Sequence, residues 1–361
     1  MADLLVRRDD LREMRIDADA MSGPLDPGEI RLTVERFGLT SNNVTYGALG
    51  DELGYWTFFG APEGWGRIPV WGFGSVSASE VAEIAVDDRF YGYFPMSSEV
   101  TMRARAGAAG FAEASEHRAA LPAFYNVYLR ASDNLAFPPA HDSTNAVFRP
   151  LFMTGWLIAD LLEAEGWHAA GAVVLTSASS KTSYATACEL SRRPDRPAVI
   201  GLTSAANRSF VEGLGFYDRV LAYDEIAELP TDEGLVLVDM AGDPVLRTAV
   251  HAHAGEAMRA SHLVGATHWE AADISSKGMP GPAPRFFFAP ARVEQRVAEL
   301  GPEALQEKVG AAWSDFVERL GSIIEIEEGA GLDHAEQVLG SLLDGSADPR
   351  KGYVVLPDGS T

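Results

Sequence analysis

The chain has 361 residues, enough for two domains with separate cores, and its 47% apolar and 22% charged residues are those of an ordinary globular protein, not a disordered one. A formal net charge of -23 opposes binding to nucleic acid, and no Lys/Arg cluster offsets it. The single cysteine, Cys188, excludes an internal disulfide and any zinc site that needs two thiolates; with no apolar run near the length of a membrane span and no signal-peptide core, a cytoplasmic protein without a membrane partner is expected.

In chain order, residues 28–37 (GEIRLTVERF) alternate apolar and polar side chains as a half-exposed strand does, after the turn Pro24-Leu25-Asp26-Pro27. A polar segment runs from Gly38 to Tyr46. Strands are expected at Val76–Val86 and Arg89–Phe94, and the glycines and prolines at 60, 62, 64, 66, 69, 72 and 74 read as turns between strands. Short strands with frequent turns imply a small β-rich domain. Residues 107–120 read either as a helix or as an insertion. From about Asn145 helices and strands alternate. Helices are expected at Phe148–Ala164, Arg208–Gly213 and, as one or two amphipathic pieces, Val293–Leu320. Strands are expected at Ala172–Thr176, Ala198–Leu202, Val220–Leu221, Leu235–Val238, His262–Ala266 and Arg285–Pro290. That succession predicts a doubly wound parallel sheet, and hence an α/β fold class. Strand, helix and strand then follow at Ile323–Glu327, Asp333–Leu343 and Tyr353–Leu356.

The stretch AVVLTSASSKTSYATACELS (Ala172 to Ser191) holds a buried strand, a turn of small polar residues and a helix beginning at Lys181. Such a helix N-terminus presents backbone N–H groups and a positive dipole end to an anion, so the turn Ser177–Ser180 can seat a pyrophosphate. Laid on G-x-G-x-x-G, the glycine places hold Ala178, Ser180 and Ser183, all small enough for close approach. Any doubly wound protein has turns of this kind, and both readings stay open on the stretch alone.

Further pieces follow a recognisable order. LDPGEIRLTVERFGLTSNN is similar to a proline-bearing turn and strand that lead into a Gly-aliphatic-Asn segment, with Thr40 where Asn is usual. Val86 to Gly92 is similar to a V-G-D-R-V-Y-G strand, and VIGLTSAANRSFVEGLGFYDRVLAYDEI to the strand and helix after a nucleotide turn. With Leu237–Gly242, His262–Gly265 and the closing DHAEQVLGSLLDGSADPRKGYVVL, the order resembles the medium-chain dehydrogenase/reductase superfamily, in its zinc-free quinone-oxidoreductase-like branch. The resemblance implies a GroES-like β-rich domain over 1–140, completed by 321–361, and a doubly wound Rossmann nucleotide-binding domain over 141–320. It implies NADP(H), a small-molecule substrate, and hydride transfer to a carbonyl, quinone or activated alkene. The missing fingerprint glycines mark a divergent member, as one from a group with no assigned function would be. They keep open a catalytically inactive nucleotide-binding or regulatory protein. Zinc-dependent members use Cys, His and a Gly-His-Glu motif; Pro69–Gly74 holds no His or Glu, so no metal site is expected.

Candidate residues follow. Tyr46 lies in the loop that in this superfamily faces the cleft, with Asn42 and Asn43 beside it. Tyr46 and Asn43 are the catalytic candidates, Tyr46 as a proton donor; against this, the asparagines can make turn bonds, Tyr46 can pack at a domain edge, and the superfamily's tyrosine aligns with Thr45. Ser177, Ser179, Ser180, Lys181 and Thr182 are expected to hold the pyrophosphate. The second strand ends without a carboxylate, so Thr203, Ser204, Arg208 and Lys181 are expected to favour a 2′-phosphate. Tyr223 and His268 complete the cofactor set; His268 and Trp269 either flank the nicotinamide or cap the surface. His251 and His253 read as solvated, Cys188 as a small buried hydrophobe, and Arg149 as a phosphate contact or a structural ion pair. Phe286-Phe287-Phe288 reads as the edge strand through which a homodimer would form.

Overall fold

The computed structural model describes residues 2–18, 23–132, 137–264, 279–321 and 323–358. Contacts divide the chain into two units: Met1–Pro150 with Ile324–Thr361, and Leu151–Ile323. In chain order the first unit has β1 (Asp3–Arg7), β2 (Met14–Asp17), β3 (Glu29–Leu39), α1 (Ser41–Ala48), β4 (Trp65–Gly66), β5 (Pro69–Ser79), β6 (Arg89–Pro95), β7 (Glu99–Gly107), β8 (Gly110–Glu113) and β9 (Val127–Arg130). Helix α2 (Asp142–Ala164) carries Pro150 and leads into the second unit. There lie β10 (Ala172–Leu175), α3 (Lys181–Ser191), β11 (Ala198–Thr203), α4 (Arg208–Gly213), β12 (Arg219–Ala222), β13 (Leu235–Asp239), α5 (Pro244–Ala254), β14 (Met258–Leu263), β15 (Arg285–Phe286), α6 (Ala289–Leu300) and α7 (Pro302–Leu320). The chain returns to the first unit with β16 (Glu325–Ala330), α8 (Leu332–Leu343) and β17 (Lys351–Leu356).

The first unit is a β-barrel. Its strands run in the order β16-β17-β3-β5-β6-β9-β8-β7, and β7 pairs back onto β3 to close it. Alternation along β3 buries Ile30, Leu32 and Val34 completely, as expected for one face of a strand turned to a core. A second small sheet has the order β2-β1-β4.

Several expectations need correction here. The polar segment from Gly38 to Tyr46 is the end of β3 and then helix α1, because Thr40 caps it: the Thr40 Oγ1 accepts from the Asn42 amide at 3.3 Å, and Asn43 Oδ1 accepts from the Thr40 amide at 2.9 Å. The expected strand at Val76–Val86 stops at Ser79. Strand β5 starts at Pro69, so Gly72 and Gly74 lie within a strand and not in turns. A Cβ on Gly72 would lie 2.2 Å from the Arg36 carbonyl oxygen, at an irregularity in the β3–β5 register, so glycine there permits close strand approach. Residues 107–120 open as the β7–β8 hairpin and go on to a single 3-10 turn at Glu116–Arg118, so no α-helix forms there.

In the second unit the six strands are all parallel, ordered β12-β11-β10-β13-β14-β15. This is the doubly wound Rossmann arrangement, with its switch point between β10 and β13. Val174, Leu202, Leu235, Leu237 and Val250 form a core cluster with no solvent exposure. The strand expected at His262–Ala266 begins earlier, at Met258, and ends at Leu263, with Gly265 and Ala266 outside the described residues; that at Arg285–Pro290 shortens to two residues, and helix α6 begins at Ala289 with Pro290 in its first turn. Strand β15 is the sheet edge, where Phe286 and Phe288 are exposed and Phe287 is buried. Among the described residues no helix is long and apolar enough to cross a membrane.

Candidate functional site

Strand β10 ends at the switch point, and the turn from Ser177 to Ser180 joins it to α3. Ser177 takes a φ of 48°, a conformation that glycine usually supplies, so the chain turns sharply without one. Ser180 is the N-cap of α3, its Oγ accepting from the Ser183 amide at 3.3 Å. Ala178 and Ser183, both fully buried, face Tyr217: its hydroxyl donates to the Ala178 carbonyl at 2.8 Å and lies 3.3 Å from Ser183 Oγ. Small residues at these two places let the helix and turn approach β11, where a Cβ on Gly201 would fall 2.9 Å from that of Ala178. Ser179 Oγ accepts from Asn207 Nδ2 at 3.1 Å. Ser177, Ser179, Ser180, Lys181 and Thr182 are thus all partly exposed on one turn at the positive end of an 11-residue helix.

Beneath the turn lies a buried network that the sequence did not reveal. Thr176 Oγ1 donates to Asp239 Oδ1 at 2.7 Å and accepts from the amides of Met240 and Ala241 at 2.9 and 3.0 Å. Asp239 Oδ1 also accepts from the amides of Ala241 and Gly242 at 3.1 Å, and Arg247 Nη1 reaches Asp239 Oδ2 at 3.2 Å. Both charged side chains are 1% exposed. The network ties the carboxyl ends of β10 and β13 together on either side of the switch point.

At the end of β11, Thr203 is fully buried and its hydroxyl has no hydrogen-bond partner among the described residues, while Ser204 is partly exposed. Arg208 is held by acids. Its Nε donates to Glu212 at 3.0 Å and its Nη1 to both oxygens of Glu225 at 3.0 and 2.9 Å. Tyr223 hydrogen-bonds Ser177, and burial pushes its phenol up to about 12. Lys181 opens α3. His268 and Trp269 lie outside the described residues.

In the first unit, Tyr46 on α1 is 5% exposed. Its hydroxyl accepts from Asn42 Nδ2 at 2.7 Å and from Trp71 Nε1 at 3.4 Å, and burial raises its pKa well above the ordinary tyrosine value. Tyr46 belongs to an aromatic cluster centred on Tyr93. The Tyr55 and Tyr93 rings lie 4.4 and 5.7 Å from Tyr46, and Trp71 and Tyr125 lie 5.0 and 4.8 Å from Tyr93. Asn43 is 4% exposed; besides its place in the helix cap it donates to the Pro69 carbonyl at 3.0 Å, so both ends of its amide serve the fold.

Residues 37–348 match the family described as "Protein of unknown function (DUF2855)". The chain belongs to the DUF2855 family. No curated protein matches it in sequence. Its fold is similar to that of CurA from Vibrio vulnificus in complex with NADPH, at 14% identity and TM-score 0.65, over 100% of both chains. YhdH of E. coli K-12 with bound NADPH is similar at 14% identity and TM-score 0.60, over 98% of this chain and 99% of that one. The yhdH oxidoreductase from Salmonella enterica in complex with NADP is similar at 15% identity and TM-score 0.59, over 99% of each.

Other candidates in this DUF2855 chain have structural settings. His251 is fully buried rather than solvated, because α5 packs it on β14: Nε2 meets Ser261 Oγ at 3.0 Å and Nδ1 meets the Pro280 carbonyl at 2.9 Å. His253 Nε2 meets the Leu229 carbonyl at 2.9 Å. Arg149 is 8% exposed and lies between aromatic rings, 4.0 Å from Tyr91 and 4.1 Å from Phe137, and burial lowers its pKa to about 10. Cys188 is buried, which pushes its thiol up to about 12 and makes it a poor nucleophile.

Proposed function

We propose that this protein is an NADP(H)-dependent oxidoreductase of the medium-chain dehydrogenase/reductase type, acting without zinc on a carbonyl, quinone or activated alkene. The observation that carries the reading is the Ser180-capped start of α3 at the switch point of a parallel sheet, with small residues where a pyrophosphate needs close approach. The solved structures that share this fold over their whole length include ones holding NADPH or NADP, which supports the choice of cofactor. A bound nicotinamide dinucleotide would supply the hydride. The turn from Ser177 to Thr182 would hold the pyrophosphate. Ser204, Lys181 and Arg208 would meet the 2′-phosphate, Arg208 at the cost of loosening its hold on Glu212.

Tyr46 would serve the substrate. The hydrogen bonds from Asn42 and Trp71 are both accepted, and the Tyr93 hydroxyl is a third polar neighbour, so a substrate oxygen that gains negative charge would take the Tyr46 proton in competition with Tyr93. The raised pKa keeps the phenol protonated at neutral pH, which suits a donor. Trp71, in the segment that lacks His and Glu, fixes the phenol oxygen, so carbonyl polarisation would rest on a hydrogen bond, with no metal ion involved. Asn43 would act only by holding α1.

The experiment is NADPH oxidation followed at its own absorbance over a panel of carbonyls, quinones and enones. Turnover of one class supports the reading, whereas saturable NADPH binding without turnover favours an inactive nucleotide-binding or regulatory protein. That second reading draws on the acids around Arg208 and the enclosure of Thr203 and Tyr46.

A further inference from the structure

Away from the nucleotide turn, the second unit brings together Glu165, His168 and His262, each offering one ligand atom within 4.8 Å of the other two. Glu165 and His168 belong to the turn between α2 and β10. Four successive residues there, Gly166 to Ala169, have left-handed φ angles between 52° and 59°, and the tight coil sets His168 Nε2 2.8 Å from a Glu165 carboxylate oxygen. His262 arrives from β14. It is 8% exposed, and its Nε2 is buried with no hydrogen-bond partner among the described residues. The Nε2 of His168 likewise makes no well-aligned hydrogen bond. A buried ring nitrogen left without a partner is costly, and an ion is one of the few things that satisfy it.

We propose that Glu165, His168 and His262 form a binding site for a divalent transition-metal ion of the zinc class. Two imidazoles and one carboxylate match the ligand set of zinc sites with an open position, whereas magnesium and calcium take oxygen ligands. Zinc–ligand bonds of about 2.0–2.1 Å put tetrahedral ligand atoms about 3.4 Å apart, so a pair at the 4.8 Å limit must close by about 1.4 Å. Glu165 and His168 can supply that movement: their side chains are 40% and 24% exposed, while His262 is fixed on its strand. The exposed side leaves the fourth position to water. Arg285, the register neighbour of His262 on β15, is exposed and is an unfavourable charge beside it. The Glu-x-x-His spacing of the first pair is visible in the sequence; His262 joins it only through the fold. The site is independent of the hydride-transfer reading and lies outside the positions at which the resembled superfamily's zinc motifs were sought.

The test uses the full chain, stripped with a chelator, desalted and titrated with Zn²⁺ and with Co²⁺. We expect one equivalent of zinc to bind and to raise the melting temperature, and cobalt to give the strong visible absorption of a four-coordinate site with nitrogen ligands. His168→Gln, at the surface, should keep the fold by circular dichroism and lose at least about 10- to 100-fold in zinc affinity, the scale on which even outer-shell changes act. His262→Gln should lose as much if it folds. Failure of the wild-type chain to take up one equivalent overturns the proposal, and so does zinc binding that is undiminished in folded His168→Gln.

Discussion

From Ala172 to Ser191 the second unit builds its turn out of one continuous stretch, whereas the first unit gathers Tyr46, Tyr55, Trp71, Tyr93 and Tyr125 from five separate segments. The turn is defined by backbone: a left-handed φ at Ser177, a cap at Ser180, and small side chains at Ala178 and Ser183. Serine and alanine can therefore stand in for glycine without changing what the turn offers an anion. In the aromatic cluster the side chains themselves make the surroundings, and Tyr46 depends on Trp71 and Asn42 for its orientation. A locally built site tolerates drift in residue identity, while an assembled one depends on each member.

The comparison is tested most severely at the floor of the turn. Arg247→Ala leaves Asp239 buried without its cation and should lower stability by about 3–5 kcal/mol, measured by chemical denaturation. A loss under about 1 kcal/mol would mean that the network does not hold the switch point together.

Next in size is Ser180→Leu, whose side chain would project where backbone must meet phosphate. It should weaken NADPH by more than about 100-fold, or about 2.7 kcal/mol. Ser180→Ala removes only the cap and should cost about 1 kcal/mol of stability with little change in NADPH affinity, which separates the cap from the steric role. Equal affinities for the two variants in a fluorescence titration would count against the pyrophosphate position.

In the assembled region, Tyr46→Phe deletes the proton and keeps the ring. It should cost about 1–3 kcal/mol of stability, because Asn42 and Trp71 lose their acceptor, and lower kcat by about 100-fold on whichever substrate is turned over, the low end for a lost acid catalyst. An unaltered kcat would return Tyr46 to a packing role.

The smallest effect is expected at Arg208. Glu212→Gln removes one of the acids that hold it and should tighten NADPH by about two- to fivefold while leaving NADH unchanged, the scale of a surface charge interaction. Equal changes for both cofactors would place Arg208 away from the 2′-phosphate.

The same contrast explains what could be read in the sequence. Ala172–Leu175, the Ser180 boundary and the run of six strands were legible because each is a local pattern of apolar, small and polar residues. Thr176, Asp239 and Arg247 were not, because their bonds join residues far apart in the chain and a single Asp or Arg carries no sign of burial. Strand β5 was misplaced because glycine usually marks turns, whereas Gly72 serves a close strand crossing. Asn43 did carry a second signal, Thr-x-x-Asn ahead of an apolar residue, which is the pattern of a helix cap. His251 looked solvated because an i, i+2 pair suggests nothing about which side of a helix meets a sheet. Tyr217, which ties the turn to α3, precedes β12 by two residues, where no strand or helix periodicity marks it.

The central claim, a nucleotide site on a glycine-free turn that prefers a 2′-phosphate, is tested most directly by titrating the purified chain with NADPH and NADH and comparing dissociation constants. The account predicts saturable binding of both, with NADPH tighter by about tenfold or more, the worth of one hydrogen bond to a charged group. No saturable binding of either, or NADH binding as tightly as NADPH, would contradict it.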